Sequence, residues 1–286
     1  MKSKLFAIIL VLLNLVFNFV LLSGNWSWAT IRKYTPKVAL LDTGCNIDSV
    51  QGVSFTGSSP FEDHAGHGTL MTKIILETNP NVDLHMVKVS ETKGDFDGHL
   101  ISRGLKWCRE NDIEIVSLSF TISEDYEVRN EINRLAANNV TVVAAVGNVN
   151  SSWGFVIGSD NYVYNSSSYN GGRGFPANMG NVIAVGALNF WGDKADFARD
   201  TGEVSADGTW FREKGTSVST ARLAGMISLL KGRYPDLSSS EIRQVIHSIA
   251  AKKKKNLLLS KSIVQDAIKK DLAGYFNRNY EYAMKR

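Results

Sequence analysis

Beyond Ala29 the chain alternates apolar, β-branched runs with amphipathic stretches: KVALLD, GTLMTKIILET, LHMVKVS, ISRGLKWCREN, IEIVSLSF, EVRNEINRLAANN and VTVVAAVGN follow one another. This is the rhythm of strands crossed over by helices. VTVVAAV shows no period-two alternation, as expected of a parallel strand covered on both faces. The pattern therefore predicts a three-layer α/β fold, a doubly wound and mainly parallel sheet flanked by helices. Asn150 to Gly174, rich in Ser, Asn, Gly and Tyr, reads as a long surface loop. NVIAVGALN restores a buried strand, and a helix is expected from about Val218 to Arg233, ending before Pro235. SSSEIRQVIHSIA then offers a serine N-cap and a second amphipathic helix.

The N-terminus breaks this rhythm. Lys2 and Lys4 precede an apolar run from Leu5 to Leu22, and Ser27, Trp28 and Ala29 follow. That layout predicts a signal peptide over residues 1–29 and export, secreted or periplasmic, with residues 30–286 as one domain ending in a short charged tail. The run is long and contains Asn14 and Asn18, so an uncleaved membrane tether through residues 5–22 is the alternative. The 286 residues, 44% of them hydrophobic, suffice for one large core.

Formal net charge is +4, of which the leader's Lys2 and Lys4 supply two. The balance implies no nucleic-acid partner, and Lys252 to Lys255 reads as a solvated turn. Cys45 and Cys108 are the only cysteines. They are expected as buried thiols, with a disulfide between them as the alternative that export permits, and they supply no zinc site.

Three runs carry chemistry. VALLDTG places Asp42 at the C-terminal end of a strand, HAGHGT places His67 at the mouth of a helix, and GTSVSTARLAG places Ser217 at a helix N-terminus, where free N–H groups favour developing negative charge. A serine hydroxyl is a weak nucleophile unless a histidine takes its proton and a carboxylate holds the imidazole tautomer. Two other readings fall short. A lone Asp-Thr-Gly needs a second such loop to act as an aspartic protease, and His64 with His67 and Asp63 lacks a third zinc ligand at helpful spacing. His85, His99 and His247 default to structural roles, and Arg222 to a carboxylate contact or the surface.

Read together, these runs resemble the subtilisin-like serine peptidase family over about Lys37 to Ile249. VVAAVGN resembles the family's strand ending in an asparagine, here Asn148, and IVSLSF resembles the segment that pairs with substrate backbone, with Ser119 at the matching position. FPANMGNVIAVGALN, KADFARDTGEVSADG and YPDLSSSEIRQVI resemble the segments that follow. The resemblance implies a serine endopeptidase acting on protein or peptide: Ser217 attacks, His67 is general base then acid, Asp42 orients His67, and Asn148 with the Ser217 N–H forms the oxyanion hole. No cofactor or metal is implied.

The chain also departs from that pattern. Thr220, Ala221 and Arg222 stand where the family usually has Ser-Pro-His, and Thr121 replaces the glycine common at the floor of the primary specificity pocket. The loop that holds calcium in many secreted relatives is reduced to about NPNVD. Between Ala29 and Lys37 there is no room for a folding pro-domain, so the enzyme folds unaided or a separate chaperone or inhibitor assists. These departures motivate a second reading, a catalytically silent scaffold serving as a binding or regulatory protein.

Overall fold

Alternate residues of β1 (Lys37–Asp42) enter opposite layers. Val38 and Leu40 pack into one apolar cluster while Ala39 and Leu41 pack into the other, as the period of two in a strand requires. Both faces of the strand are thus covered, which is why KVALLD is almost wholly apolar. The structure is a computed structural model describing residues 34–48, 50–149, 172–189, 191–251, 258, 259, 265 and 268.

The strands β2 (Gln51–Ser54), β3 (Asp83–Lys88), β4 (Ile115–Leu118), β5 (Thr141–Ala145), β6 (Ile183–Leu188), β7 (Val204–Asp207) and β10 (Leu258–Leu259) join β1 in one eight-stranded sheet. Its order is β10-β7-β6-β5-β4-β1-β3-β2, and every neighbouring pair is parallel. β8 (Thr209–Trp210) and β9 (Glu213–Lys214) form a separate antiparallel pair. One face is covered by α1 (His67–Thr78), α4 (Thr216–Arg233) and α5 (Ser239–Ala251), through residues such as Ile74, Leu223 and Ile246. α2 (Gly98–Glu110) and α3 (Tyr126–Ala137) cover the other through Leu105 and Ile132. The fold is the three-layer, doubly wound α/β architecture that the pattern predicts.

Polar side chains set the helix ends. Asp97 accepts from the N–H groups of His99 and Leu100, and Asp125 from that of Val128, so α2 and α3 start at N-caps. Ser238 and Glu241 exchange backbone bonds in a capping box that opens α5. α4 starts at Thr216, slightly earlier than its apolar periodicity suggests, because a side chain from another strand end receives the Thr216 N–H.

β1 lies between β4 and β3, where the strand order reverses direction, and such switch points open a crevice at the C-terminal strand ends. Asp42 is the last residue of β1. α1 and α4 pack against each other on the same side, so closely that a Cβ added at Gly225 would stand 2.6 Å from the Thr78 Cβ. The expected leader and the basic run Lys252 to Lys255 lie outside the described residues, as does most of the Asn150 to Gly174 loop. Cys45 and Cys108 are both buried free thiols.

Candidate active site

Asp42 is fully buried at the end of β1, and its Oδ1 accepts the Thr43 N–H at 2.8 Å. Nδ1 of His67 lies 2.8 Å from Asp42 Oδ1 and 3.0 Å from Oδ2. A buried carboxylate in this position fixes the tautomer: Nδ1 donates to Asp42, leaving Nε2 with a lone pair.

A compact polar network holds His67 in place. His67 is the first residue of α1, whose early N–H groups have no partner within the helix. Gly68 N–H donates to Thr43 Oγ1 at 3.0 Å and Thr69 N–H to Asp63 Oδ2 at 2.7 Å. Asp63 also accepts from Thr43 Oγ1 at 2.8 Å and from Gly66 N–H at 2.9 Å. Asp63 thus serves as the anchor of the helix entrance, a role that its place beside His64 does not advertise. Gly68 permits the close approach, since a Cβ there would stand 2.2 Å from the Gly44 carbonyl oxygen.

Ser217 is the second residue of α4 and is half-buried. Its hydroxyl donates to the Ser119 carbonyl oxygen at 2.6 Å, so in this resting rotamer its hydrogen bond runs to Ser119 and not to His67. That bond locates Ser217 all the same. β1 and β4 pair through Leu41 and Leu118, which makes Ser119 the neighbour of Asp42 one step further along. Strands lie about 4.8 Å apart, so Ser217 is tied to the backbone beside the residue that grips His67.

Asn148 follows the end of β5 and is exposed. Its Oδ1 accepts the Thr216 N–H at 3.0 Å and the Thr216 hydroxyl at 3.1 Å. A backbone N–H can only donate, which settles the amide orientation: the acceptor faces α4, and the NH₂ group remains with its protons to offer. Asn148 is therefore both the outside partner of an orphan helix N–H and a donor beside the residue preceding Ser217.

Thr121 stands with Asn148 on the wall of one cavity of about 630 Å³. Three backbone segments build it: Ile122 N–H bonds Phe175 O, Gly174 N–H bonds Val146 O, and Arg199 N–H bonds Gly147 O. Arg222, left open between a carboxylate and the surface, reaches Asp207 Oδ2 at 3.6 Å and the Thr209 carbonyl at 2.6 Å. Cys45 and Cys108 are no rival nucleophiles, because burial pushes both thiols up and keeps them protonated. The Ser119 carbonyl, the Asp63 anchor and Arg199 in the cavity were beyond sequence reasoning, since each acts through pairings between distant segments.

The sequence profile of the Subtilase family matches residues 34–262. Subtilisin DY of Bacillus licheniformis is 30% identical over 242 residues, covering 75% of this chain and 83% of that protein. The thermostable alkaline protease of Halalkalibacterium halodurans is 28% identical over 241 residues, with the match spanning 62% of its length. Among solved structures, the protease domain of PatA superposes with a TM-score of 0.65 at 20% identity, covering 82% of this chain and 95% of that one. A lanthipeptide protease does so with a TM-score of 0.63 at 17% identity, covering 82% and 87%. At these identities the superpositions speak for the fold, and the sequence matches speak for the family. The chain belongs to the subtilase family of serine-type endopeptidases.

Proposed function

We propose that Ser217, His67 and Asp42 form the catalytic triad of a peptide-bond hydrolase that works through an acyl-enzyme on Ser217. The observation that carries this reading is the two-oxygen grip of a buried Asp42 on His67 Nδ1, which leaves Nε2 as the basic nitrogen. Substrate binding turns the Ser217 hydroxyl from Ser119 toward that nitrogen. As Oγ bonds to the scissile carbonyl carbon, its proton passes to Nε2, and Asp42 stabilises the imidazolium. The carbonyl oxygen becomes an oxyanion and takes N–H donors from Asn148 Nδ2 and from the Ser217 backbone at the start of α4. Collapse returns the proton from Nε2 to the departing amine. A water then repeats the sequence on the acyl-enzyme, releasing the acid and restoring the serine.

The substrate in this reading is protein or peptide, its backbone running beside the segment after β4 near Ser119, with the side chain before the scissile bond entering the cavity beside Thr121. Residues 1–29 direct export and residues 30–286 form the peptidase domain, with residues 5–22 as tether where the leader is retained. Hydrolysis of an internally quenched peptide by the purified protein tests the assignment. Ser217→Ala and His67→Ala should each lower kcat by about 10⁴-fold or more with folding intact. Equal rates for a folded Ser217→Ala variant would end it.

The resting bond from Ser217 to Ser119 favours one other reading, a silent scaffold whose serine is withdrawn from His67. Unliganded active sites often hold such hydrogen bonds poorly aligned, so the rotamer alone does not decide in its favour.

A further inference from the structure

Helix α4 lacks the cap that its first turn calls for. The first N–H groups of a helix have no partner within it, and a side-chain oxygen on the N-cap residue ordinarily accepts from the second or third of them. Asp97 and Asp125 do this for α2 and α3. The N-cap residue of α4 is Gly215, which has no side chain to accept with. Thr216 N–H goes instead to Asn148 Oδ1 at 3.0 Å, and Val218 N–H to the Gly215 carbonyl at 3.2 Å. Between them, the Ser217 N–H has no acceptor among the described residues.

Backbone strain does not explain the glycine. Its φ of 167° and ψ of 159° are extended values that any residue adopts. Crowding does not explain it either. A Cβ at Gly215 would stand 3.4 Å from Asn148 Nδ2 and 3.8 Å from Ser217 N, ordinary contact distances, and no other described residue beyond its chain neighbours comes within 4 Å of that point. Gly215 N–H is bonded to Gly208 O at 2.9 Å across the base of the β8–β9 hairpin, so a side chain added here could not swing far. The open point beside Gly215 is therefore bordered by two nitrogens, an amide with protons to offer and a helix N–H without an acceptor.

We infer that Gly215 keeps this space open for the substrate's carbonyl oxygen as it turns negative, and that α4 forgoes a side-chain cap so that the Ser217 N–H stays available to it. The inference rests on the serine-peptidase reading and deepens it. A methyl group at the position fills space beside both donors. A serine there would also accept the Ser217 N–H, as N-cap serines do, and so compete with the oxyanion for it. Stability and rate should thus move apart at this one residue, as they do where an active site holds a feature that the fold alone would not choose.

The test compares wild type, Gly215→Ala and Gly215→Ser by thermal melting and by steady-state cleavage of one quenched peptide. Gly215→Ser should melt at or above the wild-type temperature and lower kcat by about a hundredfold or more, the loss expected for one missing oxyanion donor, with KM nearly constant. Gly215→Ala should show the same split between kcat and KM. A folded Gly215→Ser as fast as wild type, or one whose loss lies in KM alone, overturns the inference. Where neither variant folds, the wild-type adduct with a peptide trifluoromethyl ketone decides. Ser217 Oγ adds to the ketone carbon, its proton moves to His67 Nε2, and the resulting oxyanion should lie within hydrogen-bonding reach of Asn148 Nδ2 and Ser217 N and in van der Waals contact with Gly215 Cα. An oxyanion out of contact with Gly215 overturns the inference. An active wild type beside an unimpaired Gly215→Ser ends this inference alone, whereas a folded wild type that neither cleaves peptide nor takes a fluorophosphonate on Ser217 ends the peptidase reading and this one with it.

Discussion

Both carboxylate oxygens of Asp42 lie within hydrogen-bonding reach of His67 Nδ1, at 2.8 and 3.0 Å. Oδ1 also takes the Thr43 N–H, so an asparagine that keeps this acceptor would put its NH₂ group where Oδ2 faces Nδ1, and a donor there works against the tautomer that leaves Nε2 basic. Asp42→Asn should leave the fold intact and lower kcat by about 10³- to 10⁴-fold with little change in KM. Steady-state kinetics on a quenched peptide measures both constants, and an unchanged kcat would remove Asp42 from the mechanism.

Asn148 is tied to α4 by its oxygen and offers its NH₂ group outward. Asn148→Asp keeps the acceptor for Thr216 and removes the donor, which separates the chemical role from the structural one. Both Asn148→Asp and Asn148→Ala should lower kcat by about a hundredfold or more, a magnitude established on a subtilisin, with KM nearly constant. An Asp variant as active as wild type would show that the amide holds α4 and nothing else.

α1 and α4 deliver His67 and Ser217, and their contact at Thr78 and Gly225 has no room for a methyl group. Alanine raises helix propensity by about 1 kcal/mol over glycine, but overpacking against a Cβ fixed to backbone costs about 1–3 kcal/mol. The clash should win. Gly225→Ala is expected to lower the denaturation midpoint and kcat together, because separating the helices moves Ser217 relative to His67. A variant more stable than wild type would mean that the interface yields freely.

Glu203, just before β7, receives Arg243 and His247 from one face of α5. Burial alone would raise its carboxyl, but these two partners outweigh burial and hold it below the ordinary 4.5. A carboxyl lowered in the folded state stabilises fully above its unfolded value and loses that contribution as pH falls through the folded one. Glu203→Gln should therefore be less stable than wild type at neutral pH, and the gap should narrow below about pH 4.5. Thermal melts across pH 3–7 read the gap, and a constant difference would assign the effect to packing.

The elements whose faces are set by local pattern were legible in the sequence. KVALLD, VTVVAAV and NVIAVGALN are strands because both faces are buried, and the Ser238-to-Glu241 box opens α5 where serine and glutamate spacing places it. The short strand QGVS escaped notice because edge position needs no apolar run. Asp42, His67, Asn148 and Ser217 stood out by residue type, but their convergence depends on β1 pairing with β4 and on the Asn148 bond to Thr216, contacts between segments far apart in the chain. Arg199 was illegible for the same reason, since only its pairing with Gly147 turns it into the cavity.

Active-site labelling of Ser217 reaches the central claim most directly. A fluorophosphonate forms a stable bond only with a serine whose proton a neighbouring base removes. Mass spectrometry of the purified, folded protein should find one adduct, on the peptide containing Ser217, and its rate should collapse in Asp42→Asn and vanish in His67→Ala. A folded protein whose Ser217 stays unmodified, its hydroxyl still held by the Ser119 carbonyl, would contradict the account.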